Sequence, residues 1–380
     1  MRLSDDMIAG AQRAPVSVAP APTAPRPSPA AHQIGMIGVM GGVFQARNAE
    51  AEARPRTAPA PIDVALFSAG GQWGAFSAGF MNGWSKNTVT RRPEAFDVVT
   101  GVSTGGLIAP FVFAGAEYDD ELRDVYFGVD DRDVFRERST LEIASSTSIW
   151  DPAPLARTID GHLTDELVSG IAEAADRRSL LVGAVSLQSG FFDVFDLTAI
   201  AASDNPERET CMREGLMASA AIPVAFPPRR IDDTLYVDGG TREGIFLRGL
   251  AEANVRPTIY IFLNQTSGFP AENPDFTLAD VVGRASSIAT DELLRSAAIE
   301  TLLFAKSEGW RVRGVLVPEL WPGPECDQRN GEKATFCPGF TRALYVAGFA
   351  KGSEEPIRWM DADALIEALR QEAPAFREDS

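Results

Sequence analysis

The sequence predicts an α/β fold in which helices cover a central, mostly parallel sheet. Short apolar runs alternate with amphipathic segments along most of the chain, and this alternation is typical of parallel strands joined by helices. The chain has 380 residues, of which 45% are hydrophobic, so it is long enough to bury a large core.

The first strand is expected at Ile62, because the Pro/Ala-rich stretches before it cannot build a core. This strand, IDVALF, leads into the glycine loop SAGGQWG and then a helix. In that helix Ala75, Gly79 and Gly83 form a stripe of small residues, which predicts a close approach to the sheet. Further strands are expected at residues 96–100, 258–264 and 312–320 and as a pair within 180–197, with helices at 278–309 and 361–373.

Charge and hydropathy exclude some classes of function. The formal net charge is -18, which argues against a nucleic-acid partner or an anionic bilayer held by charge attraction. The chain has no apolar run of the roughly 18–20 residues that a membrane helix needs, and its first residues lack the pattern of a secretory signal. These observations predict a cytoplasmic protein, with the periplasm or secretion as alternatives.

Three cysteines offer one choice of pairing. Cys211 lies in an apolar helical pattern, whereas Cys326 and Cys337 bracket a polar, turn-rich segment. A disulfide between the last two would indicate an oxidising compartment. We expect unpaired thiols here, with the disulfide as the alternative.

The stretch GVSTG, residues 101–105, has the G-x-S-x-G form of a nucleophile turn. A predicted strand precedes Ser103 and a helix follows, so the hydroxyl should project above the sheet. Gly101 and Gly105 would relieve clashes between the strand and the helix. Taken alone, the five residues fit an ordinary strand-to-helix turn equally well.

The glycine loop after the first strand fits two roles. Gly70 and Gly71 can leave backbone N–H groups unobstructed, as an oxyanion hole requires. The same groups would suit a phosphate cradle. The loop lacks the spacing of known nucleotide-binding motifs, and by itself it does not decide between the two roles.

A base for Ser103 is hard to find among the histidines. His32 lies in the Pro/Ala-rich segment, and His162 begins an amphipathic pattern without a partner motif. Asp238 is the alternative, because it ends the short strand Leu235–Val237 and precedes Gly239 and Gly240. On its own, the DGG sequence also fits a plain β-turn.

Taken in order, the glycine loop, GVSTG and DGG resemble the patatin-like phospholipases. The segments CMREGLMASAAIPVAFPPRRIDDTLYVDGG and SIWDPAPLARTIDGHL are also similar to that family, and the resemblance covers roughly residues 62–265. It implies a three-layer α/β/α fold, with Ser103 as nucleophile and Asp238 as base. It also implies that the N–H groups of Gly70 and Gly71 form the oxyanion hole. We expect no metal or cofactor.

Two features of the loop depart from the family pattern D-G-G-G-x-[RK]-G. Ser68 and Ala69 replace the acid and the first glycine, and Trp73 stands where the family has a basic residue. A basic side chain there suits an anionic head group, so the departure bears on phosphate recognition and not on ester hydrolysis. Trp73 would either contact an acyl chain or pack in the interior.

The resulting prediction is a serine acyl-ester hydrolase acting on a lipid or another acyl ester, with transient membrane contact and no nucleic acid. Residues 1–61 form a disordered tail, 62–265 the catalytic domain, and 266–380 a helical or mixed extension packed on it. Two alternatives stay open: an acyltransferase with the same Ser–Asp dyad, and a non-catalytic lipid-binding protein of the same fold.

Overall fold

A computed structural model describes residues 61–247, 257–268, 278–318, 328–329, 332–333 and 335–370. The predicted tail lies outside these residues except for Pro61, and so does Cys326. The strands are β1 Ile62–Phe67, β2 Val98–Val102, β3 Arg136–Glu137, β4 Trp150–Asp151, β5 Ser179–Ser186, β6 Phe192–Asp196, β7 Arg229–Ile231, β8 Thr234–Asp238, β9 Pro257–Thr266, β10 Arg311–Val317, β11 Gln328–Arg329 and β12 Glu332–Lys333.

Eight of these strands form one sheet in the order β10-β9-β1-β2-β5-β8-β7, with β6 paired to β5. Neighbouring strands from β10 to β5 are parallel, whereas β6, β7 and β8 pair in the antiparallel sense. The predicted α/β class with a central, mostly parallel sheet is therefore confirmed.

Helices connect the strands and cover the sheet. They are α1 Gly74–Ser85, α2 Thr104–Ala114, α3 Asp119–Tyr126, α4 Asp131–Val134, α5 Thr140–Ala144, α6 Ala153–His162, α7 Asp165–Glu173, α8 Leu197–Ala201, α9 Arg208–Ser219, α10 Leu278–Ser307, α11 Pro338–Gly352 and α12 Ala362–Arg370. None of the helices in the described part of the chain combines the length and hydropathy that crossing a bilayer requires.

Alternation along β1 separates two hydrophobic cores, because successive side chains of a strand point to opposite faces. Ile62, Val64 and Leu66 pack in one core, which also holds buried residues of α10 and α12. Ala65 and Phe67 pack in the other, with buried residues of α1, α2, α6, α7, α9 and α11. The sheet thus lies between two helical layers.

The small-residue stripe of α1 packs against a helix, α11, and the prediction that it packs against the sheet was wrong. A Cβ at Gly79 would lie 2.0 Å from the Tyr345 carbonyl oxygen of α11, and one at Gly348 would lie 1.9 Å from that of Phe76. Both helices contribute glycines, so their backbones touch. The signal in the sequence was the spacing by four, which fits any close neighbour.

The C-terminal part of the chain completes the sheet. β9 ends at Thr266 and β10 adds the strand next to it, so the sheet continues past the predicted boundary at residue 265. The division into domains at that point stays a prediction. Cys337 is disulfide-bonded whereas Cys211 is free. This corrects the expectation of an unpaired thiol at Cys337, and such bonds persist mainly in oxidising compartments.

We expect Gly348→Ala to destabilise the protein by about 1–3 kcal/mol, because the added methyl group overpacks the contact between α1 and α11. Gly170→Ala in α7 is the matched control, since a Cβ there meets nothing within 4 Å. That control should gain about 0.5–1 kcal/mol from the better helix propensity of alanine. Urea unfolding of both variants checks the prediction, and equal effects at the two sites would contradict it.

Candidate active site

β5 brings the ends of two other strands together. β2 pairs with the first part of β5, up to Val102 opposite Gly183, and β8 pairs with the last part, where Asp238 lies opposite Ala184. β6 pairs with residues 181–185 of β5, so it occupies the other edge. β2 and β8 therefore share one edge and meet end to end, which places Ser103 beside Asp238.

Ser103 occupies a strained turn between β2 and α2. Its backbone has φ 54 and ψ -124, a conformation that costs a non-glycine residue about 1–3 kcal/mol. A Cβ at Gly101 would lie 2.2 Å from the Gly105 carbonyl oxygen, so the turn closes only because these positions lack side chains. The Ser103 side chain lies close enough to the Asp238 carboxylate to lower its pKa.

The Asp238 carboxylate is buried and held from both sides. Its Oδ1 accepts the Gly240 N–H at 2.7 Å, and its backbone N–H donates to the Ala221 carbonyl at 2.8 Å. Burial raises the pKa of Asp238 from 3.8 to about 6, although the Ser103 side chain and the Gly240 N–H act in the opposite direction. The group is thus a stronger base than an ordinary aspartate and is still ionised at neutral pH.

Ser219, the last residue of α9, links the Ser103 turn to the sheet through two hydrogen bonds. Its Oγ accepts the Ser103 N–H at 3.0 Å and donates to the Gly183 carbonyl at 2.7 Å. The side chain is fully buried. One hydroxyl therefore ties the backbone of the strained residue to the strand that aligns Ser103 with Asp238.

The glycine loop is anchored to its neighbours on both sides. The Ser68 hydroxyl accepts the Asn264 N–H at 2.9 Å, and the Ala69 N–H donates to the Gly244 carbonyl at 2.7 Å. Gly70 passes so close to β9 that a Cβ would lie 2.1 Å from the Asn264 carbonyl oxygen. Ser68, which departs from the family pattern, thus has a structural role.

Gly71 faces open space. Its φ is 55, in the left-handed region, and a Cβ there would meet nothing within 4 Å. Within the described part of the chain, the N–H groups of Gly70 and Gly71 donate no hydrogen bond. Gly71 lines the same cavity as Ser103, so it presents an open backbone near the candidate nucleophile.

A cavity of about 400 Å³ opens at Ser103 and Gly71. Much of its wall is apolar. Most of the lining comes from α3 and the segment after it, from α6 and from the segment after α9. The apolar lining residues are Leu107, Val125, Tyr126, Phe127, Val129, Val134, Leu155, Ala220, Ile222, Phe226 and Phe336. Asp238 does not line the cavity, so Ser103 separates the carboxylate from it. The volume suits a small ligand or part of a larger one.

Two residues singled out in the sequence have clear positions. His162 ends α6, where a helix start was expected, and it lines the cavity with its ring edge-to-face against Phe111. Trp73 does not line the cavity and packs at 5.0 Å against Phe340 of α11. Its role is therefore interior packing. His32 lies outside the described residues.

Sequence reasoning missed Ser219 and Asn264. Ser219 lay within the segment matched to the family, where a lone hydroxyl in an alanine-rich, apolar helix end was the available signal. Asn264 ends the apolar run of β9, and its amide donates to the Ser68 carbonyl at 2.7 Å and accepts from the Ser77 hydroxyl at 2.6 Å. A polar residue closing a buried strand was the corresponding signal.

We expect Ser219→Ala to lower stability by about 1–3 kcal/mol, because it leaves the Ser103 N–H and the Gly183 carbonyl without their partner. Turnover of an acyl ester, the substrate class that the sequence predicts, should fall more than KM changes, since the substitution displaces the candidate nucleophile and spares the cavity. Ser203→Ala is the matched control, because that hydroxyl also donates to a backbone carbonyl at 2.7 Å. Equal activity of the two variants would contradict this role for Ser219.

Comparison with known proteins supports the family resemblance. Residues 66–251 match the family model described as patatin-like phospholipase. No curated protein is significantly similar to the chain. Among solved structures, VipD from Legionella pneumophila is similar over 82% of this chain and 67% of its own, with 11% sequence identity and a TM-score of 0.39. The predicted family is confirmed: residues 66–251 form a patatin-like phospholipase domain.

Proposed function

We propose that the protein is a serine acyl-ester hydrolase that acts on lipids through a Ser103–Asp238 dyad. The observation that carries the proposal is the position of Ser103, which lines a largely apolar cavity and lies beside the buried Asp238 carboxylate. The free N–H groups of Gly70 and Gly71 support it, because a developing oxyanion needs donors that are already in place.

In the first half of the reaction, Asp238 accepts the Ser103 proton while Oγ attacks the ester carbonyl carbon. The carbonyl oxygen becomes an oxyanion, which the N–H groups of Gly70 and Gly71 stabilise. Each such donor is typically worth about 3–4 kcal/mol of barrier. The intermediate then collapses, the alcohol leaves with the proton from Asp238, and an acyl-serine remains.

In the second half, water replaces the alcohol. Asp238 takes a proton from the water, which attacks the acyl-serine carbonyl, and the same two N–H groups hold the second oxyanion. Collapse of this intermediate releases the carboxylic acid and returns the proton to Ser103. A single carboxylate thus serves as base and acid in both halves, and its raised pKa suits both roles.

Recognition of the acyl group is better supported than recognition of a charged head group. The described cavity wall carries Arg157 but also Asp124 and Asp133, so its charges do not favour an anion. A second, smaller pocket lined mainly by apolar residues shares Leu107 and Leu155 with the cavity and extends the apolar path towards Leu216. This geometry suits an acyl chain.

Ser103→Ala and Asp238→Asn should each lower turnover of a short-chain acyl ester by about a thousandfold or more, with the fold intact. Near-UV circular dichroism and thermal unfolding serve as the folding control. A fluorophosphonate ester should label the wild type and not Ser103→Ala. An unlabelled wild type would instead favour a non-catalytic protein, and transfer of the acyl group to an added alcohol in preference to water would favour an acyltransferase.

The raised pKa of Asp238 predicts opposite effects of pH on activity and stability. Turnover should fall below pH 6, because only the carboxylate accepts the Ser103 proton. The folded state binds this proton more tightly than the unfolded chain, so ionised Asp238 costs about 3 kcal/mol of stability at pH 8. Asp238→Asn should gain this free energy at pH 8 and less than about 1 kcal/mol at pH 4.

Urea unfolding at both pH values checks the second prediction. Asparagine has nearly the same shape and keeps an oxygen that can accept the Gly240 N–H, so the comparison isolates the charge. A variant less stable than the wild type at pH 8 would contradict the burial of an ionised carboxylate.

A further inference from the structure

Two chain segments that carry few charges meet beside the cavity. One is the loop of the hairpin formed by β3 and β4, and the other is the turn that follows α9. Backbone hydrogen bonds join them, from the Ile149 N–H to the Val224 carbonyl at 2.9 Å and from the Trp150 N–H to the Ala225 carbonyl at 3.0 Å. The two segments therefore form one continuous surface.

This surface exposes an unusual amount of apolar side chain. We call it the rim patch and define it as Leu141, Ile143, Ile149, Ile222 and Val224. Leu141 is 85% exposed and Val224 55% exposed. Scattered apolar residues are normal on a surface, but an exposed cluster on joined segments marks a site of interaction.

Charge is nearly absent from the rim patch, although the chain carries a net charge of -18. Between residues 139 and 149 the only charged side chain is Glu142, and between 217 and 228 there is none. The Glu142 carboxylate accepts the Ser139 N–H at 2.8 Å and pairs with Arg136 at 3.0 Å. If an apolar medium covered this surface, few charged side chains would therefore lose their contact with water.

Val224 holds a strained backbone conformation at this surface. Its φ is 71, a value that is rare for a β-branched residue and that destabilises the fold. Asparagine or glycine adopts such a φ at a lower cost in free energy. Such a residue is exposed here, so packing does not explain its presence. Strain retained at an exposed position points to a function for the apolar side chain.

The rim patch is continuous with the cavity. Ile222 belongs to the patch and also lines the cavity wall, and Phe226, two residues after Val224, lines it too. Phe135 stacks on Trp150 with ring centroids 4.0 Å apart, which anchors the hairpin next to Phe226. A layer resting on the patch would thus lie at the entrance to Ser103.

We propose that the rim patch docks on the surface of a zwitterionic lipid bilayer. The apolar side chains would lie among the head groups and upper acyl chains, and an acyl ester could enter the cavity without crossing water. The acidic chain would be repelled by an anionic surface, so the proposal commits to phosphatidylcholine-like membranes. The proposed function supplies the reason for docking, which is access to an acyl ester. Binding to the bilayer does not itself depend on catalysis.

Vesicle sedimentation with the full-length Ser103→Ala protein tests the docking. We expect it to bind phosphatidylcholine vesicles, and we expect Leu141→Glu in the same background to weaken binding about tenfold or more. Val89→Glu is the matched control, because Val89 is 62% exposed and lies beyond the far end of α1. This control adds the same charge away from the patch and should bind like the parent.

Val224→Asn separates docking from folding. The substitution relieves the strain, so its unfolding temperature should rise, while its vesicle binding should fall. Loss of binding through misfolding would require the opposite change in stability. In the active protein, which keeps Ser103, Leu141→Glu and Val224→Asn should each leave turnover of a monomeric short-chain ester unchanged.

Absence of vesicle binding, or equal binding by the Leu141→Glu and Val89→Glu proteins, would overturn the docking proposal. So would a dimer in solution that Leu141→Glu dissociates, since the patch would then belong to a second copy. Turnover of the short-chain ester is measured separately and reports on the proposed function alone. An active protein that ignores vesicles would refute docking and leave the hydrolase assignment standing.

Discussion

Pairing of β2 and β8 along one edge of β5 is the constraint on which the candidate site depends. Ser103 follows the end of one strand and Asp238 ends the other, and hydrogen bonds to β5 fix where both strands stop. These residues are 135 positions apart in the chain, so local structure alone cannot bring them together. The strand pairing of the sheet therefore positions both residues.

The site is costly in free energy, and its surroundings offset the cost. A strained serine and a buried carboxylate each destabilise the fold by a few kcal/mol. The Ser103 N–H donates a hydrogen bond to Ser219, and the Gly240 N–H donates one to Asp238. Close helix packing and the aromatic core surround both groups. A rigid frame of this kind suits a reaction whose oxyanion donors must be in place beforehand.

Much of the fold could be predicted from the sequence, because strands and helices follow from the spacing of apolar residues. The observed β1 and the hairpin of β5 and β6 coincide with the predicted segments. The sequence also indicated Ser103 and Asp238, because each lies where a recognisable turn begins. The catalytic roles proposed for them are supported by the geometry of the site and by the family resemblance.

The unpredicted features depend on contacts between residues far apart in the chain. Ser219 is 116 residues from Ser103, and no pattern in either segment reveals their hydrogen bond. The glycines of α1 likewise predicted a close neighbour, but their spacing did not identify it as α11. The cavity walls come from the way distant segments meet, which apolar spacing does not encode.

The packing of α11 on α1 also has a consequence for synthesis of the protein. The ribosome releases Ser103 and Asp238 before residues 338–352, so the nascent chain holds both reactive groups while α1 lacks its partner helix. The backbone of α1 starts just after the glycine loop, and Gln72 in that loop accepts the Cys337 N–H at 3.3 Å. Packing of the glycine loop therefore waits for the late segment, and a stalled or truncated chain would expose glycine-rich backbone to chaperones or proteases.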